Sequence, residues 1–300
     1  MIEAPHAPAL IAPAAPIRVP AMHGLLWLQQ GFRLFTAQPG RWVLVLGLWL
    51  GLSLLTPMLL AMALEDVRQA VTIALSPLGL DDSLTGLLQI LPVLAPLAMV
   101  LLFPLVFSGL MVGCAAVAAG APLHPRHLFA AFARDPGRLV TVGGINAVGQ
   151  ILISESIAWF VRDRLGGAEL KMPEGPDAAQ NAAQLLTQLR ELTPLVLPVV
   201  VLQTLLMAAL WFTPPLLVFH DMSPLAAVRA SLSACARNAG ALAVYALAVV
   251  VMLSLVAAIS LSAGSGLVFS LIALLVLAAA MTTVIASLYV SYRDIFQQHD

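Results

Sequence analysis

The sequence predicts an all-α fold: a polytopic membrane helix bundle with about six transmembrane helices, built as three repeats of an interfacial helix plus a transmembrane hairpin. Three observations point there. Of the 300 residues, 61% are hydrophobic and only 10% charged, against about 25% charged in an ordinary soluble domain. Six stretches stay apolar over about the 20 residues a spanning helix needs. One short phrase is written three times, as FRLFTAQPGRW at 32–42, FAAFARDPGRL at 129–139 and LSACARNAGAL at 232–242.

In chain order, residues 1–21 are rich in Ala and Pro and lack a long apolar core, which reads as a disordered tail and not a cleaved signal peptide. The first membrane helix then serves as the insertion signal. Residues 22–296 form one integral membrane domain, with repeats at about 22–119, 120–220 and 221–296. The apolar segments are 42–64, 87–119, 139–161, 195–219, 242–261 and 267–290. The second exceeds a span and holds Pro92, Pro96 and Pro104, so a kink or a short outer helix is expected there. The outer loop, 162–193, ends in the helical run DAAQNAAQLLTQLREL, and Gly264, Ser265 and Gly266 leave a tight turn before the last helix.

Positive residues near spans resist translocation and so orient the bundle. One side holds Arg18, Arg33, Arg41, Arg126, Arg134, Arg138, Arg229, Arg237 and Arg293; the other holds Arg68, Arg162, Arg164, Lys171 and Arg190 amid acidic residues. Nine against five places both termini in the cytoplasm. All three copies of the phrase then lie on the inner side, each leading into the first helix of a hairpin.

The first and third copies align without a gap. Leu25, Leu28, Phe32 and Phe35 fall opposite Leu225, Val228, Leu232 and Cys235, one apolar helical stripe. Ser223-Pro224 reads as an N-cap and first helical position. Each copy ends in a polar residue, a small or ring residue and a glycine, so Gly40, Gly137 and Gly240 are expected to make the turns between interfacial helix and span. The Phe side chains of these helices either pack on the bundle or dip into the lipid interface.

HGLLWLQQGFRLFTAQPGRW near the N-terminus, SPLAAVRASLSACARNAGAL before the fifth helix and YVSYRDIF near the C-terminus together resemble a proteobacterial family of uncharacterised six-helix inner-membrane proteins. More distantly they resemble the membrane domain fused to some glycerophosphodiester phosphodiesterases. The resemblance covers most of 22–296 and implies an inner-membrane bundle without an assigned activity. It carries no catalytic residue onto this chain, and the soluble catalytic domain of the phosphodiesterases has no counterpart here.

Within the spans, polar residues are the candidates for function, because burying them in lipid is expensive. Glu155 lies about 10 Å along its helix from Arg162, so it either snorkels or pairs near the outer interface, or couples to ions. Asn146, Gln150 and Ser154 recur every four residues on the third span, where Gln203 and Thr204 of the fourth are placed to face them. That stripe either bonds the helices together or lines a substrate path. His124 and His127 have ligand-like spacing, but Pro125 between them and the lack of a third ligand point to a solvated loop. His220-Asp221 reads as part of a turn. Cys114 and Cys235 do not form a paired framework, so neither a disulfide nor zinc is expected. Trp27, Trp42 and Tyr292 fit an aromatic belt. Arg33, Arg41, Arg134, Arg138 and Arg237 are candidate contacts for anionic lipid.

Net charge is −1, which offers no basic field for nucleic acid. No nucleophile-and-base pair or phosphate loop is visible, so the chain reads as a non-enzyme with no cofactor. The expected function is interaction with membrane lipids or envelope proteins. The alternative is a small transporter or permease for a hydrophobic or lipid-like substrate, which requires Asn146, Gln150 and Gln203 to share a cavity.

Overall fold

The computed structural model describes residues 15–75, 91–133, 135–164, 178–262 and 266–297. Among them every regular element is helical, and six are long and apolar enough to cross a membrane. The protein is an all-α integral membrane bundle.

A short helix, α1 (His23–Ala37), precedes the first span, which consists of α2 (Pro39–Leu50), a π-helical turn (Gly51–Leu55) and α3 (Thr56–Leu75). Pro57 explains the widened turn. It has no N–H for the carbonyl of Ser53 four residues back, and its ring crowds that carbonyl. The second span is α4 (Leu91–Ala118), followed by a 3₁₀ helix (Pro125–Ala133), and the third is α5 (Pro136–Arg164). The fourth is α6 (Ala178–Trp211) with the short α7 (Thr213–Phe219); α8 (Pro224–Arg237), α9 (Ala239–Ser262) and α10 (Leu267–Phe296) complete the chain.

Several expectations change. The second span is not preceded by a separate helix within the described residues: α4 runs unbroken through Pro96 and Pro104. The helical run expected inside the outer loop is instead the start of α6, continuous with the fourth span through Pro194 and Pro198. The remainder of that loop, 165–177, lies outside the described residues, as do 76–90 and 263–265. The tail ends before residue 21: Val19 is buried and Ile17 N–H donates to the Ile295 carbonyl at 3.0 Å. Extended backbone there finds partners on the bundle, while residues 1–14 lie outside the described residues.

The core occupies one end of the bundle, where α1, the 3₁₀ helix, α7 and α8 meet the near ends of the spans. Trp27, Trp42, Leu105, Met111, Leu128, Phe212, Tyr292 and Phe296 are fully buried there. The second span is the central one, with 56% of its apolar window buried against 6% for the fifth. Toward the other end the spans expose large apolar side chains such as Leu152, Leu197, Leu247 and Leu274, which suits lipid and not water.

Trp27, Trp42 and Tyr292 therefore belong to the core and not to an aromatic belt. Each ring satisfies its polar atom inside the protein. Trp27 Nε1 donates to Asp294 at 2.7 Å, Trp42 Nε1 to the Leu34 carbonyl at 2.9 Å, and Tyr292 OH pairs with His220 Nε2 at 2.7 Å.

Candidate functional site

The short elements at the core end are docked through their small residues. On α1 the buried face is Gly24, Trp27 and Gly31, and on α8 it is Ala227, Ser231, Ala234 and Cys235. The apolar stripe divides between the two expected places: Leu28, Phe35 and Cys235 pack on the bundle, while Leu25, Phe32 and Leu225, and Phe129 of the middle copy, are exposed. Close backbone approach explains the difference. A Cβ at Gly24 would lie 2.3 Å from the Ala241 carbonyl oxygen, and one at Gly31 would lie 2.6 Å from that of Thr283. On the second span, a Cβ at Gly109 would lie 2.3 Å from the Leu128 oxygen of the 3₁₀ helix. On α8, Ser231 Oγ donates to the Ala208 carbonyl at 2.6 Å and accepts from Phe212 N–H at 3.0 Å. Thus α1 sits on the fifth and sixth spans, the 3₁₀ helix on the second, and α8 on the fourth.

The turns after α1 and α8 are made by the polar residue and not by the glycine. Gln38 (φ −148°, ψ 59°) and Asn238 (φ −113°, ψ 22°) leave the helical region. Gly40, Gly137 and Gly240 already lie within α2, α5 and α9, and among the described residues only Gly120 has a positive φ. The glycines are early helical positions, a proline or alanine having opened each helix.

The turn residues also cross-link the chain. Gln38 accepts from Leu123 N–H at 2.8 Å and donates to the Ala121 carbonyl at 2.9 Å. Asn238 repeats the pattern, accepting from Val19 N–H at 2.8 Å and donating to the Ile17 carbonyl at 2.9 Å. A side-chain amide can do this because it carries both a donor and an acceptor, like a peptide group. Asp135 has no donor, and Arg138 supplies it: Arg138 Nε lies 2.8 Å from Asp135, and its terminal nitrogen donates to Asp221 at 2.6 Å and to the Met222 carbonyl at 3.2 Å. The links run in a cycle. Gln38 holds the segment entering the 3₁₀ helix, Asp135 with Arg138 holds the one entering α8, and Asn238 holds the one entering α1.

Asp294 closes the ring at the chain's two ends. Its Oδ2 lies 2.8 Å from His23 Nδ1 and accepts from Trp27. The pocket beside it is about 70 Å³, room for about two waters. The pocket beside Arg138 and His220 is about 200 Å³, below the range of about 300 Å³ and more that small-molecule sites occupy. His220, Tyr292 and Asp294 emerge only in the structure, since their partners are 72 to 271 residues distant in sequence. The one signal was the place of Tyr292 and Asp294 in the motif YVSYRDIF; His220 lies outside the quoted motifs.

His127 is buried within the 3₁₀ helix and not in a solvated loop; its Nδ1 accepts from His124 N–H at 3.3 Å. Burial, reinforced by His124 and Arg126, lowers its pKa below the usual histidine value. Cys114 and Cys235 are both buried and unpaired. Burial pushes the Cys235 thiol up to about 12.

The stripe on the third span is not drawn into a common site. Gln150, Ser154, Glu155 and Thr204 are exposed, and Asn146 and Gln203 are half-buried. Ser154 and Thr204 donate to carbonyls of their own helices, Ile151 and Val200, at 2.9 and 2.7 Å. No hydrogen bond links Asn146, Gln150 or Gln203 to one another. Of the candidate arginines, Arg138 is engaged as described, Arg237 donates to the Pro16 carbonyl at 2.9 Å, Arg41 to Gln38 at 3.3 Å, and Arg33 faces outward. Arg134 lies outside the described residues.

Over 295 residues, 92% of this chain and 90% of the relative, the sequence is 29% identical to a probable inner membrane protein of Burkholderia thailandensis. No protein-family model matches the chain, and no solved structure matches it. An integral inner-membrane protein is what the relative and the six apolar helices together support.

Proposed function

We propose that this is a non-enzymatic inner-membrane scaffold, built of three repeats, whose ring of short elements rests in the cytoplasmic leaflet with both termini on that side. It acts by binding anionic lipid there and by presenting the same surface to envelope proteins. The observation that carries this reading is the outward apolar face of the ring: Phe32 is 51% exposed, Phe129 50% and Leu225 56%. Exposed Arg33, Arg126 and Arg229 neighbour them in sequence. Aromatic and aliphatic side chains beside arginine hold an element at headgroup level, and each arginine near anionic lipid adds about 1 kcal/mol.

Native mass spectrometry of the detergent-extracted protein tests the lipid contact. Replacing Arg33, Arg41 and Arg229 together by glutamine is expected to lower retained cardiolipin at least tenfold. Unchanged retention contradicts the reading. Fusing a fluorescent protein that matures in the cytoplasm to the C-terminus tests the orientation: the fusion is expected to fluoresce, and activity of a periplasmic phosphatase fusion at the same site would reverse it.

A further inference from the structure

A shallow cleft of about 510 Å³ lies between the third and fourth spans, at the end remote from the ring. Leu152, Glu155 and Trp159 line one wall, and Pro194, Leu195 and Pro198 the other. The spacing of three and four sets the first three on one helix face. Glu155 is the charged residue of the lining, and Arg162, one turn beyond Trp159, is its partner just outside it. Their backbones are about 10 Å apart along the helix, yet their side chains reach toward each other and end 4.0 Å apart, at one depth.

That separation cancels charge but makes no hydrogen bond. The Glu155 side chain is 72% exposed and that of Arg162 68%. Among the described residues neither charge has another recorded partner. A carboxylate inside a span is costly unless it is neutralised and hydrogen-bonded. Here the carboxylate lines an apolar groove, and the exposed guanidinium stands 4.0 Å from it. Trp159, 65% exposed, stands beside them, with the apolar body and polar tip that suit this level.

We propose that the cleft binds a phospholipid with a primary amine headgroup. The ammonium donates to Glu155, the phosphate accepts from Arg162, and an acyl chain lies along Leu152, Trp159 and Leu195. A headgroup whose ammonium and phosphate are two carbons apart matches two opposite charges set about one such span apart. An anionic glycerol headgroup meets Arg162 but leaves Glu155 without a donor of opposite charge, and a choline headgroup has no N–H to give.

The test is tryptophan quenching in phosphatidylcholine vesicles holding the full chain and rising fractions of phosphatidylethanolamine or phosphatidylglycerol with brominated acyl chains. Subtracting the Trp159→Phe signal isolates Trp159. Half-maximal quenching is expected at an about tenfold lower fraction of the ethanolamine lipid, the worth of one charge-assisted hydrogen bond. Glu155→Gln is expected to erase the preference. Equal quenching by both lipids, or an unchanged preference in Glu155→Gln, overturns the proposal. Native mass spectrometry needs no tryptophan variant: with Arg33, Arg41 and Arg229 replaced by glutamine to remove lipid held at the ring, the protein is expected to retain ethanolamine lipid over glycerol lipid, and with Glu155→Gln added to retain both equally. Retention without that difference rules the site out. Because the cleft lies away from the ring, the Arg33, Arg41 and Arg229 variant is expected to leave the Trp159 quenching unchanged.

Discussion

At the ring end, polar side chains join residues far apart in the chain; at the opposite end they join neighbours on one helix. Asp294 reaches His23, Arg138 reaches Asp221, and Asn238 reaches Ile17 and Val19. Remote from the ring, Glu65 pairs with Arg68 and Glu155 with Arg162, each within a single span. Apolar packing divides the same way, with buried rings at the first end and exposed leucines at the second. In lipid, apolar contact between helices carries no hydrophobic drive, so position is set by close backbone approach and by polar cross-links. The ring end has both, and it fixes the bundle.

The largest effect is expected where backbones touch. Gly31→Leu would drive a side chain into the sixth span at Thr283 and Ser287, and should cost about 3 kcal/mol or more, read as loss of the folded population on thermal unfolding in detergent. Asn238→Ala comes next. It strands the buried Val19 N–H and should cost about 2 kcal/mol, with new proteolytic cleavage before residue 20. Removing Asp294 by alanine should cost about 1–2 kcal/mol and release Trp27, seen as a changed near-ultraviolet signal.

His127 gives a smaller, pH-dependent effect. Its folded pKa is depressed, so the unfolded chain binds the proton more readily, and stability rises with pH across the window. Thermal stability is therefore expected to fall as pH drops through about 6.5 toward the depressed value, and His127→Gln should flatten that slope. The smallest effect sharpens the comparison from the other side. At Gly47 a Cβ meets nothing within 4 Å, so Gly47→Ala should be neutral or stabilising by up to about 1 kcal/mol.

How legible was this in the sequence? The spans were, because 20 apolar residues have few alternatives in any fold: the expected 242–261 became Ala239–Ser260, and 195–219 became Thr193–Phe219. The N-cap at Ser223 was legible too, its Oγ accepting from Ala226 N–H. The docked face of α1 was legible only in part. The stripe left bundle and lipid open as its destinations and it splits between them, Leu28 and Phe35 packing on the core while Phe32 goes out; Gly24 and Gly31, which carry no apolar signal, go inward. The preference of aromatic rings with polar atoms for the membrane interface sent Trp27, Trp42 and Tyr292 to the membrane surface, whereas the fold buries them. Gln38, Asp135 and Asn238 stood in plain view beside the glycines. Their role was hidden because Gln38, Asn238 and, for Asp135, its neighbour Arg138 each bond a segment brought close only by the folded ring.

Spin-label distances in nanodiscs test the difference between the two ends most directly. One label pair replaces Arg33 and Arg229 at the ring, and another replaces Met62 and Leu271 at the far ends of the first and sixth spans, all four being exposed. A narrow distribution is expected for the ring pair and a distinctly broader one for the far pair, with Asn238→Ala broadening the first and leaving the second alone. Equally narrow distributions at both ends, unaffected by Asn238→Ala, would contradict the view that the ring end alone fixes the bundle.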